Sequence, residues 1–160
     1  MSVNRKILCL PGDGIGPEVF REVRRVVDWF DKNLKVEFSL EEKPIGGASY
    51  DLYKTPITEE VEEKAYNADA VLLGAVGGEQ YDKLPFELKP ERALLKLRKS
   101  LDLFANIRPA KIFDALVNSS SLKKDVVQGL DMIVVRELTG GIYFGEPRGI
   151  AKLPNGDRRG

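Results

Sequence analysis

A short apolar run, Lys6 to Leu10, is cut off by Pro11-Gly12-Asp13-Gly14-Ile15-Gly16-Pro17 and followed at once by apolar residues at helical spacing. No other stretch constrains the fold as much. The run is long enough for a buried strand and too short for a helix, and the glycines break it sharply. Val19, Val23, Val26, Val27 and Phe30 then recur at the period of one helical stripe, which predicts a helix with that stripe on a core. Pro17 suits its first turn, and Glu18 complements the positive end of its dipole. Strand, glycine loop and helix in immediate succession suggest alternating α and β layers.

The alternation continues along the chain. Leu34, Val36, Phe38 and Leu40 have the period of a half-buried strand. Gly46-Gly47 punctuates the chain, and Thr58 is placed to cap a second helix with Glu59 and Glu60 in its first turn. Ala70 to Ala75 is continuously apolar and runs into Gly74, Gly77 and Gly78, which predicts a central parallel strand feeding a glycine-rich loop. Pro90 and Glu91 open a third helix carrying Leu94, Leu97, Arg98 and Leu101. Leu103 to Ile107 and Met132 to Val135 are further apolar runs, each ending in an arginine. The expected fold class is α/β, with an open, mostly parallel sheet and flanking helices. A boundary is expected near Leu101 to Phe104, dividing residues 1–102 from residues 103–160.

Composition removes whole classes of chemistry. The chain has 160 residues and no histidine, which excludes a histidine triad, a histidine metal ligand or a histidine base within it. Lys plus Arg equals Asp plus Glu at 25 each, leaving no electrostatic case for nucleic acid or an anionic membrane. Cys9 is the single cysteine, so no internal disulfide forms. No apolar stretch is long enough to span a bilayer, and Ile7 to Leu10 is too short for a signal-peptide core. The expectation is a soluble, cytoplasmic protein working with Arg, Lys, Tyr, Asp, Glu and backbone groups.

Three places could carry chemistry. The loop Gly12-Asp13-Gly14-Ile15-Gly16 either lets backbone N–H groups approach a cofactor or is a tight strand-to-helix turn. Its spacing misses the G-x-G-x-x-G dinucleotide fingerprint. Arg98, Arg108 and Arg136 are either rim residues or planar forks for a substrate with two carboxylates, since strand ends are where open α/β sheets bind ligands. In Thr139-Gly140-Gly141-Ile142-Tyr143-Phe144-Gly145-Glu146-Pro147-Arg148, Tyr143 is either a proton donor or one of the packed aromatics of a β-hairpin.

Taken together, five motifs resemble one family. LPGDGIGPE (Leu10 to Glu18), DAVLLGAVGG (Asp69 to Gly78), LLKLRK (Leu94 to Lys99), FANIRPAK (Phe104 to Lys111) and VRELTGGIYFGEPRG (Val135 to Gly149) are similar to the β-decarboxylating isocitrate/isopropylmalate dehydrogenases. Leu94 points to the isopropylmalate branch. Two stretches depart from the family pattern. Gly77-Gly78-Glu79-Gln80-Tyr81 stands where Gly-Gly-Pro-Lys-Trp is common, and Ser120-Ser121-Leu122-Lys123 where Ser-Pro-Leu-Lys is common.

The resemblance implies a family fold distinct from the nucleotide-binding Rossmann type. It implies NAD-dependent oxidative decarboxylation of 3-isopropylmalate to 4-methyl-2-oxopentanoate in leucine biosynthesis, with Mg2+ or Mn2+, in a homodimer. Arg98, Arg108 and Arg136 would hold the carboxylates, Leu94 would meet the isopropyl group, and Tyr143 would protonate the enol. Ile15 and the run Gly77-Gly78-Glu79-Gln80-Tyr81-Asp82-Lys83-Leu84-Pro85-Phe86-Glu87-Leu88-Lys89-Pro90-Glu91 would border NAD. Residues 1–102 would begin the cofactor-side domain and residues 103–160 the substrate and dimerisation domain. Metal ligands and the catalytic lysine would lie downstream, leaving these 160 residues inactive alone. The alternatives are a relative acting on tartrate, malate or homoisocitrate, or a non-catalytic dimerisation partner.

Overall fold

The computed structural model describes residues 3–140, 151–152, 154–156 and 158–159. These fall into two compact units that divide between Leu101 and Asp102. The first contains β1 (Val3–Gly12), α1 (Gly16–Asn33), β2 (Val36–Glu42), α2 (Gly47–Tyr53), α3 (Glu59–Asn67), β3 (Ala70–Ala75) and α4 (Glu91–Ser100). The second contains β4 (Ala105–Lys111), α5 (Lys124–Val127), β5 (Asp131–Glu137), β6 (Ala151–Lys152) and β7 (Arg158–Arg159).

The first unit is a parallel sheet in the order β2-β1-β3. Its middle strand is β1, and β3 lies at an edge of the described sheet. This corrects the central position expected for Ala70 to Ala75. A continuously apolar strand needs two covered faces, and β3 has them without being central. Alternate residues of β1 serve opposite layers. Leu8 and Leu10 pack with Ile45, Ile57, Val61, Ala65, Ala93 and Leu97, so α3 and α4 cover that face. Ile7 and Cys9 pack with Phe20 from α1, flanked by Val23, Phe38, Leu40 and Leu72. Burial on both faces is why the strands read as unbroken apolar runs.

The α1 stripe is rotated from the one its valines predict. Gly16, Phe20 and Val27 are buried, with Val23 packed beside them, whereas Val19, Val26 and Phe30 are exposed. Gly16 causes the rotation. A Cβ there would stand 2.1 Å from the Pro11 carbonyl oxygen, so only glycine lets the helix start this close to the strand. Thr58 caps α3 as its residue type predicts, its hydroxyl accepting from Val61 N–H at 3.4 Å. The helix α2 was not foreseen, because Gly46-Gly47 reads as a break rather than as a start.

Cys9 is almost fully buried. Burial pushes its thiol pKa up, against a smaller opposing pull from Arg24. We expect native Cys9 to react with an aromatic disulfide reagent at pH 8 far more slowly than the urea-unfolded chain. Equal rates would place the thiol outside the core.

In the second unit β4 and β5 pair antiparallel, from Ala105 opposite Glu137 to Lys111 opposite Asp131. β6 and β7 form a second short antiparallel pair. The parallel arrangement is therefore confined to the first unit. Pro109 sits within β4 opposite Ile133, which a two-stranded ribbon tolerates because, among the described residues, each strand has an unpaired edge.

Candidate functional site

The parallel sheet has a topological switch point between β1 and β3. The adjacent strands feed helices on opposite faces: α1 covers the Cys9 face, and α4 the Leu10 face. Open α/β sheets bind ligands in the crevice beyond the carboxyl ends of such strands. The loop after β1 carries Gly14 and Ile15, and the loop after β3 carries Gly77 and Gly78. Gly14 has φ +55° with open space where a Cβ would go, and Ile15 is 63% exposed.

Asp13 joins these loops. It is buried, yet its Oδ2 accepts from Gly47 N–H and Gly77 N–H, both at 2.8 Å, and its Oδ1 accepts from Ala48 N–H at 2.7 Å. Its own N–H donates to the Ala75 carbonyl at 2.6 Å. One carboxylate therefore satisfies three buried or half-buried donors, two of them at the start of α2. Sequence reasoning counted Asp13 only as a member of a glycine loop. The available signal was an acidic residue between two glycines at a strand end, where it has no helix of its own to cap.

The segment from Gly77 to Pro90 contains two turns of 3-10 helix, Glu79–Tyr81 and Phe86–Leu88. Tyr81 is buried and donates its hydroxyl to Asp51 Oδ2 at 2.8 Å. Burial first, and then this bond, raise its phenol pKa, so Tyr81 remains a donor at neutral pH. Arg92 lies over the Phe86 ring at 4.7 Å and pairs with Glu87 at 3.1 Å. Gly78, Glu79, Gln80, Asp82, Lys83 and Pro85 are exposed, whereas Leu84, Leu88 and Lys89 are half-buried and Pro90 is buried. Glu91 begins α4, its Oε1 within 2.8 Å of where a Gly77 Cβ would be.

On α4, Ala93 and Leu97 face the core. Leu94 and Arg98, one turn apart, are half-buried and lie outside that cluster. Leu94 is thus an apolar residue that the described core does not use.

The other two arginines lie in the second unit, on one face of the β4–β5 ribbon. Asn106 is opposite Arg136, and Arg108 is two residues along from Asn106. All three share a face, with Arg108 and Arg136 diagonal neighbours roughly 7–8 Å apart by sheet geometry. Arg108 Nε donates to Asn106 Oδ1 at 2.5 Å, which steers the guanidinium along the strand. The expected position of Arg108 at a strand end is corrected: β4 continues through it to Lys111. Hydrophobicity stops at Ile107, but backbone pairing with β5 does not. Asn106 was missed, although its place two residues before Arg108 on a strand puts it on the same face.

Of the third candidate, only Thr139 and Gly140 lie within the described residues, and Tyr143 lies outside them. Just before it, the Glu137 carboxylate accepts from the Thr139 hydroxyl, from Thr139 N–H at 2.5 Å and from Gly140 N–H. These bonds, led by the hydroxyl, hold the Glu137 pKa below its usual value. Ser120, at the other departure from the family pattern, accepts from Leu122 N–H at 3.1 Å and so makes its own turn without proline.

A cavity of about 550 Å³ lies away from these groups, bordered by Lys6, Ser39, Glu41, Glu60, Lys64 and Ala68. Lys64 pairs there with Glu41 at 2.7 Å and with Glu60 at 3.9 Å. Among the described residues no group of three His, Cys, Asp or Glu side chains could hold a metal ion. No described helix is long and apolar enough to cross a membrane.

The isocitrate/isopropylmalate dehydrogenase family description matches residues 6–158. A protein of Rhodospirillum rubrum named 3-isopropylmalate dehydrogenase is 60% identical over the whole chain, which covers 44% of that relative. One of the same name in Pelagibacter ubique is 60% identical over 98% of the chain and 42% of the relative. The chain thus spans less than half the length of these curated relatives. Among solved structures, a β-decarboxylating dehydrogenase of Thermococcus kodakarensis matches with TM-score 0.58 at 30% identity, over 83% of this chain and 33% of that one. An isocitrate dehydrogenase of Methylococcus capsulatus shares the fold, with TM-score 0.68 at 24% identity over 88% of this chain and 37% of that one.

Proposed function

The chain belongs to the isocitrate/isopropylmalate dehydrogenase family, and on that premise we propose that it forms part of an NAD-dependent 3-isopropylmalate dehydrogenase of leucine biosynthesis. The observation that carries the choice of substrate is the outer face of α4. Leu94 and Arg98 stand together outside the core cluster, while Ala93 and Leu97 fill it. A carboxylate on Arg98 would set the neighbouring substituent of the substrate one turn away, against Leu94. Arg108 and Arg136 would likewise serve as carboxylate forks, with Asn106 fixing the first of them. Residues up to about 102 would serve the cofactor side, and those from 103 the substrate and dimer side. Tyr143 would return the proton to the enol carbon.

A bound NAD would supply the hydride acceptor for oxidation of the C2 alcohol. Around it, Ile15 would cover one face of the nicotinamide, and the segment from Gly77 to Glu91 would border it. A divalent cation belongs to the proposed reaction, but among the described residues no group of three His, Cys, Asp or Glu side chains could hold one. The cytoplasm and a homodimer complete the proposal.

Leu94 supplies the test. In the full-length enzyme, Leu94→Ser is expected to lower kcat/KM for 3-isopropylmalate relative to malate by about tenfold to two-hundredfold, the scale of a lost apolar contact. Melting temperature and both substrates are measured on the same variant. An unchanged substrate ratio with a lower melting temperature would make Leu94 a packing residue and remove the argument for this substrate over tartrate, malate or homoisocitrate.

A further inference from the structure

The α2 helix touches the switch-point crevice at both ends of a single connection. At its start, Gly47 N–H and Ala48 N–H donate to Asp13, the same carboxylate that receives Gly77 N–H. One turn later, Asp51 receives the Tyr81 hydroxyl. The Tyr81 ring lies so close over α2 that a Cβ on Gly47 would stand 2.0 Å from it. The segment after β3 is thus tied to one short helix twice, through Gly77 by way of Asp13 and through Tyr81 directly. Between and after these points its side chains are mostly exposed.

We propose that α2 is a clasp, with Asp13, Asp51 and Tyr81 as positioning residues that set the shape of the Gly77–Pro90 segment for a pyridine nucleotide. The proposal deepens the cofactor-side reading above and rests on it. Asp13 and Asp51 need not touch the nucleotide. Asp13 fixes where the segment leaves β3, and Tyr81 fixes its first turn. The exposed backbone from Gly78 to Gln80 is then held in one conformation before a ligand arrives, which reduces the ordering required on binding.

Asp51 gives the clearest test, because it is exposed and its partner is a single hydroxyl. Asp51→Ala removes the acceptor, Asp51→Asn keeps one, and Tyr81→Phe removes the donor. In the full-length enzyme we expect Asp51→Ala and Tyr81→Phe each to raise the KM for NAD about threefold to tenfold, the scale of one hydrogen bond. For Asp51→Ala, which lies outside the NAD-bordering segment, the KM for 3-isopropylmalate and kcat at saturating NAD should stay within about twofold of the parent, as expected for a loss confined to binding. Asp51→Asn should restore the NAD KM. Faster amide hydrogen exchange at Gly77 to Tyr81 in the two damaging variants reports the clasp independently of activity. An unchanged NAD KM alongside faster exchange would overturn the proposal, as would a lowered melting temperature with unchanged KM values. If the unaltered full-length enzyme failed to bind NADH in a fluorescence titration, the cofactor reading itself would fall.

Discussion

Replacing Arg98 with lysine is expected to lower kcat/KM for 3-isopropylmalate in the full-length enzyme by about tenfold to a hundredfold. Lysine preserves the charge in the last turn of α4, where a cation complements the helix dipole, so the fold should be unaffected. What it loses is the planar fork that meets both oxygens of a carboxylate. A charge-assisted hydrogen bond in a closed site contributes roughly 1.5–3 kcal/mol, which sets the expected scale. Melting temperature should change little, because Arg98 is half-buried and stands away from Ala93 and Leu97. Steady-state kinetics and thermal melting on the same preparation separate the two effects. Kinetics close to those of the parent would remove Arg98 from the substrate site.

Gly12→Ala is expected to be the most destabilising single methyl in the glycine loop. Gly12 has φ +78°, and a Cβ there would stand 1.9 Å from the Ala75 carbonyl oxygen and 2.9 Å from its carbon. The obstacle is backbone of the neighbouring paired strand, which cannot rotate away. The left-handed conformation costs roughly 1–2 kcal/mol for a residue with a Cβ, and overpacking adds about 1–3 kcal/mol. Gly14→Ala is the control. It shares the positive φ, at +55°, but has nothing within 4 Å, so its cost should stop at the roughly 1–2 kcal/mol of the left-handed conformation. Urea unfolding of the two variants should therefore differ by at least about 1 kcal/mol. Equal midpoints would mean that the loop and β3 can separate without loss.

Much of the first unit is legible from residue order. The apolar runs at Ile7 to Leu10 and Ala70 to Ala75 identify strands because both faces are covered. Thr58 and Pro17 mark helix starts because capping is chemistry within a few residues of chain. Local signals are weaker wherever a distant group sets the geometry. Val19, Val26 and Phe30 fit a helical stripe as well as Phe20 and Val27 do. The choice between them fell to Gly16 against the Pro11 carbonyl, a contact that periodicity does not encode. The helix α2 was hidden for a similar reason. Its first donors are satisfied by Asp13, 34 residues earlier than Gly47, rather than by a capping residue of its own.

At the candidate site the same division holds. By itself, the sequence determined which chemistry is available: no histidine, arginines able to act as carboxylate forks, and glycines at the strand ends. It also carried motifs sufficient to indicate the family. Tertiary structure alone decided that Leu94 and Arg98 stand off the core, that Asn106 steers Arg108, and that Asp13, α2 and Tyr81 fasten two loops together. Side-chain identity and local spacing are properties of the chain, whereas a hydrogen bond between residues 13 and 77 exists only after β1 and β3 have paired side by side.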